Sequence, residues 1–264
     1  MDGHAAIDWW DRRHAELPAY AAVGCERIGA PFNAWMYRVR RRVFRRVMRR
    51  LLPRPDATAV LDVASGFGFY VERWRELGVT DVTASDGAPT ALAGLRRRHP
   101  HVPAIALDIT AERSGLPGRK FDAISAFDVL FHIVDDAAYA RAIGNLASLL
   151  RPGGLLVLSE NFRPDVPRVV SPTQIDRTEA DIIGRLRAAG LEPVLRRRMF
   201  WLMNEPQNTR SALHWQSWRH LCRALRAWPR LGTLAGAALY PLELALVRRN
   251  GPGPSTDLLV CRRS

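Results

Sequence analysis

The residues best suited to chemistry begin with the run VLDVASGFGFYVERW, Val60 to Trp74, which reads as a strand, a glycine-bearing turn and a helix start. Gly66 and Gly68 let the backbone turn sharply and approach a ligand where a Cβ would collide. Alone, such a loop also suits NAD or FAD, or a tight turn with no ligand. A second apolar run ends in Asp86, 24 residues after Asp62. A carboxylate there can accept hydrogen bonds from both ribose hydroxyls of an adenosine ligand. A third run ends at Asp108 in ALDIT, and a fourth, FDAISAFDVLFHI, follows a loop holding Pro117 and Gly118. The G-x-G-x-x-G dinucleotide spacing is absent, because Ala64-Ser65-Gly66-Phe67-Gly68-Phe69 fits it poorly. His132 and Asp128 are the candidates for proton chemistry. His132 can deprotonate an acceptor or contact the cofactor, or be a helix-start residue with no chemistry. Asp128 reads as a positioning residue rather than a base, and Glu160 as a solvated strand-end carboxylate.

These residues need a scaffold that brings strand ends together. Short apolar runs at 59–63, 81–85, 103–107, 121–127 and 154–159 alternate with helical segments near 68–77, 88–98 and 136–151. That rhythm predicts βαβ units and a parallel sheet covered on both faces, with Pro152, Gly153 and Gly154 turning into the fifth strand. Upstream, Phe32, Trp35, Met36, Val39, Val43, Val47, Met48 and Leu51 recur at helical spacing. Arg38, Arg41, Arg42, Arg45, Arg46 and Arg49 lie on the opposite face, and Pro53 and Pro55 end the helix. That face reads as solvated, with phosphate or anionic lipid as alternative contacts. Residues 1–31 look mixed, with Pro18 and Pro31 as breakers. Downstream, a helix near 178–189 stops at Gly190, LEPVLRRRMFWLM follows as a strand, and STDLLVCRR closes the chain as another.

With these motifs in this order and spacing, the chain resembles the class I S-adenosylmethionine-dependent methyltransferases, closely over about residues 57–160 and loosely over 178–202 and 255–263. The resemblance implies an α/β, Rossmann-like, doubly wound seven-stranded sheet, mostly parallel with an antiparallel last strand. It also implies S-adenosyl-L-methionine as cofactor. Asp62, Ala64, Ser65, Gly66 and Gly68 would form the loop around the methionine moiety. Asp86 would hold the ribose with Gly87 beside the adenine; Asp108 would accept from the adenine amino group, with Ile109 packed on the ring. Phe127 and Asp128 lie where the family's fourth strand opens toward the reacting methyl. Ala64 departs from the pattern, standing where the family's first glycine usually is. The expected organisation is an N-terminal helical cap at 1–52, a methyltransferase core at 53–203, a helical insertion or lid at 204–253, and the final strand at 254–264. For the acceptor side, Trp10 and Arg13 resemble the aromatic and basic arm that many small-molecule enzymes of this family fold over the site. Tyr37 lies off the apolar stripe and is a further candidate, and Trp215 or Trp218 would face inward from the insertion.

Composition bounds the partners. The 264 residues are 47% hydrophobic and 25% charged, enough for a sizeable core and unlike a disordered chain. The net charge of +13 comes almost wholly from arginine, Lys120 being the only lysine. It fits attraction to nucleic acid, an anionic surface or an acidic substrate, and equally a coding bias toward arginine. In the family that the chain resembles, exocyclic-amine enzymes carry an Asn/Asp-Pro-Pro-aromatic motif after the fourth strand and base C5 enzymes a nucleophilic cysteine, usually after a proline; here that place reads AFDVLFHI, and none of Cys25, Cys222 and Cys261 follows a proline. Nucleic acid is therefore disfavoured. Scattered cysteines and a start without an apolar core point to the cytoplasm, and no metal site is expected. The longest apolar stretch, Leu231 to Val247, is too short to span a bilayer and contains Pro241 and Glu243. The expected activity is methylation of a small molecule, with oxygen ahead of nitrogen as acceptor. The alternatives are a lipid or lipid-linked sugar at a membrane surface, with peripheral contact, or RNA. Acceptor identity and oligomeric state stay open.

Overall fold

The computed structural model describes residues 3–16, 28–112 and 119–264; Pro18, Cys25, Pro117 and Gly118 lie outside them. In chain order the strands are β1 (Ala59–Val63), β2 (Asp81–Asp86), β3 (Ala104–Ala106), β4 (Phe121–Ala126), β5 (Leu150–Glu160), β6 (Arg168–Ser171), β7 (Gln174–Asp176), β8 (Leu191–Arg198) and β9 (Asp257–Arg263). The helices are α1 (Gly3–Glu16), α2 (Gly29–Leu51), α3 (Phe69–Glu76), α4 (Pro89–Arg98), α5 (Asp136–Leu149), α6 (Glu179–Ala188), α7 (Ala212–Ala227) and α8 (Leu231–Leu246). The main sheet has seven strands in the order β3-β2-β1-β4-β5-β9-β8. β9 runs antiparallel to both its neighbours, and the pairs from β3 to β5 are parallel. This is the doubly wound, mostly parallel sheet that the sequence rhythm implies. Its order reverses between β1 and β4, so the crevice at the carboxyl ends of those strands is where an open α/β sheet binds ligand.

Strand alternation splits the interior in two. Val60, Val157 and Val260 face one side with α2 and α3, while Leu61, Leu156, Leu158 and Leu259 face the other with α5 and α6. Helix starts follow local chemistry. Asp135 accepts from the Ala138 N–H at 2.7 Å and Thr178 from the Asp181 N–H at 3.2 Å.

Several sequence expectations need correction. Residues 3–16 are helical, and Pro31 sits in the first turn of α2 instead of breaking the chain. Proline is tolerated there because the first-turn N–H groups have no intrahelical partner. β5 starts at Leu150, with a register irregularity opposite Phe121 to Ala123, so Pro152 to Gly154 lie within the strand. β8 ends at Arg198, and Met199 to Met203 follow as irregular chain. The hairpin β6–β7 was not foreseen, because its residues carry no apolar alternation. α2 buries a wider face than its aliphatic stripe: Tyr37, Arg40 and Phe44 are also covered. Among the described residues no helix is long and apolar enough to cross a membrane.

Candidate active site

The loop after β1 carries three residues with positive φ, Ala64 (51°), Gly66 (53°) and Gly68 (89°). This winding turns the backbone N–H of Gly66 onto Asp86 Oδ2 at 2.9 Å, while the Ala88 N–H donates to Asp86 Oδ1 at 2.9 Å. The carboxylate that ends β2 is thus fixed by two backbone donors, with lone pairs remaining on both oxygens. Burial pushes its pKa up, and the surrounding N–H groups and His14 oppose that rise. Behind the loop, Asp62 receives the hydroxyl of Ser125, which in turn accepts from Trp74 Nε1 at 2.9 Å. Burial raises Asp62 to about 7 against the pull of the Ser125 and Ser65 hydrogen bonds, and nearby Asp86 adds to the rise.

The loop and Asp86 border a cavity of about 570 Å³. From β1 come Ala64, Ser65 and Gly66; from β2, Asp86 and Gly87; from the end of β3, Asp108, Ile109 and Thr110; from β4, Phe127 and Asp128. Asp108 Oδ1 accepts from the N–H of Thr110 at 2.8 Å and from its hydroxyl at 2.7 Å. Phe127 stacks on Tyr70 with ring centroids 3.7 Å apart and planes 11° from parallel. Asp128 has φ 55°, unusual for a residue other than glycine. Its N–H donates to Ser159 Oγ at 2.8 Å, that hydroxyl donates to Asp128 Oδ1 at 2.8 Å, and Arg40 Nη1 lies 2.7 Å from Oδ2. Burial works against the Arg40 charge, but Asp128 and the phenol oxygens of Tyr70 and Tyr37 outweigh it, so the guanidinium stays protonated. With both oxygens engaged, Asp128 is a fixed point of the wall and poorly placed to act as a base.

His132 ends a short 3₁₀ turn, Leu130–His132, and its Nδ1 lies 2.7 Å from the Thr173 carbonyl oxygen in the β6–β7 turn. A carbonyl only accepts, so Nδ1 carries the proton and Nε2 keeps its lone pair. Burial lowers the His132 pKa, keeping the ring neutral near pH 7. Trp10 packs edge-on against this ring, with centroids 4.9 Å apart. Ile7, Trp10 and His14 of α1 line the cavity together with Tyr37 of α2 and with Phe67, Pro172 and Thr173.

Not every expected residue reaches this space. Asp62 and Gly68 shape the loop from behind; a Cβ at Gly68 would lie 2.4 Å from His99 Nε2, so this glycine serves packing. Arg13 stacks over Trp9 and Trp10, at 5.3 and 6.0 Å, and does not line the cavity. Trp215 and Trp218 do not face it either. They border a separate pocket of about 300 Å³ with Arg168, Glu205, Arg219 and Cys222, and the helix that follows them, α8, packs on α2. Glu160 is not solvated. Its carboxyl is fully buried and its pKa raised by that burial, because the chain returning from β7 lies along residues 161–163 through Asn161 to Asp176 (2.9 Å) and Arg163 to Arg177 (2.9 Å).

Sequence reasoning missed Arg40, Ser159, Tyr70, Thr173 and His14. Only Arg40 left a signal: it stands three residues after Tyr37 and four before Phe44, a charge among residues that helical spacing puts on one side.

The loop and carboxylates fit a nucleoside with a charged tail. Side chains are withdrawn where the chain turns left-handed, and a buried carboxylate with spare lone pairs waits for hydroxyl donors. Comparison with known proteins agrees. Residues 60–154 match the family model of the methyltransferase domain. The ubiquinone biosynthesis O-methyltransferase of Cereibacter sphaeroides is 27% identical over 219 residues, covering 74% of this chain and 81% of that protein. The protein of the same name from Xanthomonas axonopodis pv. citri is 37% identical over 171 residues, 60% of this chain and 59% of that one. Among solved structures, magnesium protoporphyrin IX methyltransferase from Synechocystis PCC 6803 with bound S-adenosylhomocysteine aligns over all of both chains with TM-score 0.59 and 15% identity. The 1,6-didemethyltoxoflavin-N1-methyltransferase of Burkholderia thailandensis aligns over 88% of this chain and 81% of that one, with TM-score 0.55 and 20% identity. Residues 60–154 are a methyltransferase domain, carried on the seven-stranded fold that these solved methyltransferases share.

Proposed function

We propose that this enzyme methylates a hydroxyl oxygen of a small, largely apolar acceptor, with His132 as the general base. The observation that carries the proposal is the hydrogen bond from His132 Nδ1 to the Thr173 carbonyl, which leaves a neutral Nε2 on a ring in the same cavity as Asp86 and Asp108. Similarity to O-methyltransferases of ubiquinone biosynthesis supports oxygen as the acceptor atom. A cavity of about 570 Å³ walled by Trp10, Tyr37, Phe67 and Phe127 suits a small ring compound beside the cofactor.

When bound, S-adenosylmethionine supplies a methyl carbon activated by the adjoining sulfonium. In this reading Asp86 holds the ribose hydroxyls, Asp108 the adenine amino group with Ile109 against the ring, and the Ala64 to Gly66 loop the methionine end. Phe127 and Asp128 border the reacting end, where Asp128 keeps its backbone fixed through Ser159 and Arg40. The aromatic walls orient the acceptor and exclude water, the main contributions a protein can make to an in-line displacement. His132 removes the hydroxyl proton, which an oxygen nucleophile requires and an unprotonated amine does not.

The test is turnover of a panel of hydroxylated and amino-substituted aromatics, followed by the mass gained per acceptor. His132→Gln should lower kcat for hydroxyl acceptors about 10²- to 10⁴-fold with cofactor affinity retained. The wild type should lose activity as the pH falls below about 6.5, the ordinary histidine value, because burial moves the protonation that disables the base still lower. Full turnover by His132→Gln, or methylation confined to amines, removes the base from the mechanism.

A further inference from the structure

α8 is apolar apart from the exposed Thr233, the part-buried Tyr240 and the buried Glu243, yet half of its residues stay exposed. Its inner face is fixed by close packing. A Cβ at Gly236 would lie 2.2 Å from Trp35 Cδ1, and one at Gly232 would lie 3.1 Å from the Phe32 nitrogen. The helix's one charged residue, Glu243, is fully buried and accepts the N–H groups of Trp201 and Leu202 at 2.6 and 2.8 Å. Every charge is therefore removed from the outer face. That face presents Leu231, Leu234, Ala238, Pro241, Leu242 and Ala245 to solvent, with Leu234 at 67% exposure and Leu242 at 51%. Trp228, in the turn leading into α8, is 63% exposed.

The border of this patch is uniformly basic. Residues 212–249 hold six arginines and one acid, the buried Glu243. Arg219, Arg223, Arg226 and Arg230 are all exposed at spacings of four, three and four, a stripe that runs along α7 to the start of α8. Arg248 and Arg249 follow its far end, and Arg248 lies close enough to Arg46 on α2 for the two charges to repel. An apolar helix face with an exposed tryptophan at one end and arginines at both is the arrangement that lies in a bilayer interface, acyl chains taking the leucines and anionic headgroups the guanidinium groups. At 16 residues the helix is too short to span a membrane, so it would lie flat. A second copy of the chain is a poorer occupant, because it would bring two molecules of charge +13 together arginine against arginine. Nucleic acid would leave the leucines uncovered.

We propose that the outer face of α8, with the arginines of α7 and of the chain after α8, docks the enzyme on an anionic lipid surface. This holds whatever the acceptor is. The patch lies across α2 from the cavity: Trp35 faces α8, while Tyr37 lines the cavity.

The experiment is co-sedimentation of the full chain with phosphatidylcholine vesicles, with and without phosphatidylglycerol, at low and high salt. Brominated acyl chains serve as a depth-dependent quencher of tryptophan fluorescence. The wild type should prefer the anionic vesicles by at least about tenfold, lose that preference at high salt and be quenched by the bromines. L234E/L242E should bind about tenfold less or weaker still, as should R223Q/R226Q/R230Q, with circular dichroism and S-adenosylhomocysteine affinity as wild type. Equal binding of the wild type and L234E/L242E would overturn the proposal. So would a dimer that L234E/L242E dissolves in the absence of lipid, or binding of RNA that outcompetes the vesicles.

Discussion

Arg40 and Asp128 test whether the wall of the cavity is held from outside the core motifs. Replacing Arg40 by Met keeps most of the apolar stem but removes the guanidinium, which lies 2.7 Å from Asp128 Oδ2 and over the rings of Tyr37 and Phe200. Breaking a fully buried pair costs about 3–5 kcal/mol because one charge is left without a partner. Here the Arg40 side chain is 9% exposed but that of Asp128 is 26% exposed, so water recovers part of the loss. We therefore expect Arg40→Met to destabilise the fold by about 2–3 kcal/mol. Asparagine is the right companion at 128, because it tolerates a φ of 55° better than most residues and keeps the hydrogen bond to Ser159. In Arg40→Met/Asp128→Asn neither charge is orphaned, so the double variant should be more stable than the sum of the singles predicts, by about 1–3 kcal/mol. Urea denaturation with unchanged m-values gives the cycle. Titration with S-adenosylhomocysteine should show weaker binding by Arg40→Met and partial recovery by Arg40→Lys. Single-variant losses that add to within about 0.5 kcal/mol would refute the coupling.

Three further outcomes follow from the loop. Asp86→Ala should weaken S-adenosylmethionine binding by about 1.5–3 kcal/mol, the scale of hydrogen bonds to a charged group, and calorimetry on folded protein decides it. Asp62 has its pKa raised to about 7 by burial, so its contribution to stability is full below about pH 4 and is lost as the pH rises through 7. Asp62→Asn, which can still accept from Ser125, should abolish that downward slope of cofactor-free stability, worth at most about 4 kcal/mol; an unchanged slope in denaturation midpoints across that range counts against it. Ala64→Gly relieves a left-handed alanine at about 1–2 kcal/mol and gives back about 0.5–1 in unfolded-chain entropy, so thermal unfolding should show a gain of up to about 1.5 kcal/mol.

The sheet was legible because the parallel strands are short apolar runs with a polar residue in or near their ends: Asp62 within β1, holding the loop from behind, and Asp86 ending β2 and Asp108 after β3, both lining the crevice. Strand, turn and helix follow one another there, so local pattern and tertiary role coincide. The side of the cavity proposed for the acceptor obeys no such rule. It is assembled from α1, α2 and the β6–β7 turn, elements distant in sequence whose meeting depends on how helices cross the sheet. Arg40 was legible as an anomaly on a covered helix face, but nothing in the chain near it names Asp128 as its partner. Thr173 was invisible because only its backbone carbonyl takes part, and a carbonyl has no residue type. Trp215 and Trp218 misled for the opposite reason: a large aromatic side chain reports that something is buried and says nothing of where.

Gly87 shows how a residue can sit at an expected position for another reason. The family pattern assigns it a place beside the adenine, where a side chain would intrude. In the fold, a Cβ on Gly87 would lie 3.1 Å from Ile7 Cγ1, so the residue it makes room for belongs to α1. The same helix supplies Asp11, whose carboxylate accepts the Thr90 N–H at 2.6 Å in the first turn of α4, a helix whose own cap residue, Ala88, has no side-chain acceptor. A cap of that kind is worth about 1 kcal/mol, and a carboxylate at a helix N-terminus adds a favourable interaction with the helix dipole. Together with the packing of Trp10 against His132, these contacts seat α1 over the cavity beside Asp86 and beside His132 at once. Of the two segments expected to cover the site, 1–52 and 204–253, only the first lines the cavity, through α1 and Tyr37, and the glycine after Asp86 is part of the seat of α1. A side chain at 87 would act first on α1 and, through Trp10, on the surroundings of His132, so its effect would reach the His132 end of the cavity as well as the Asp86 end.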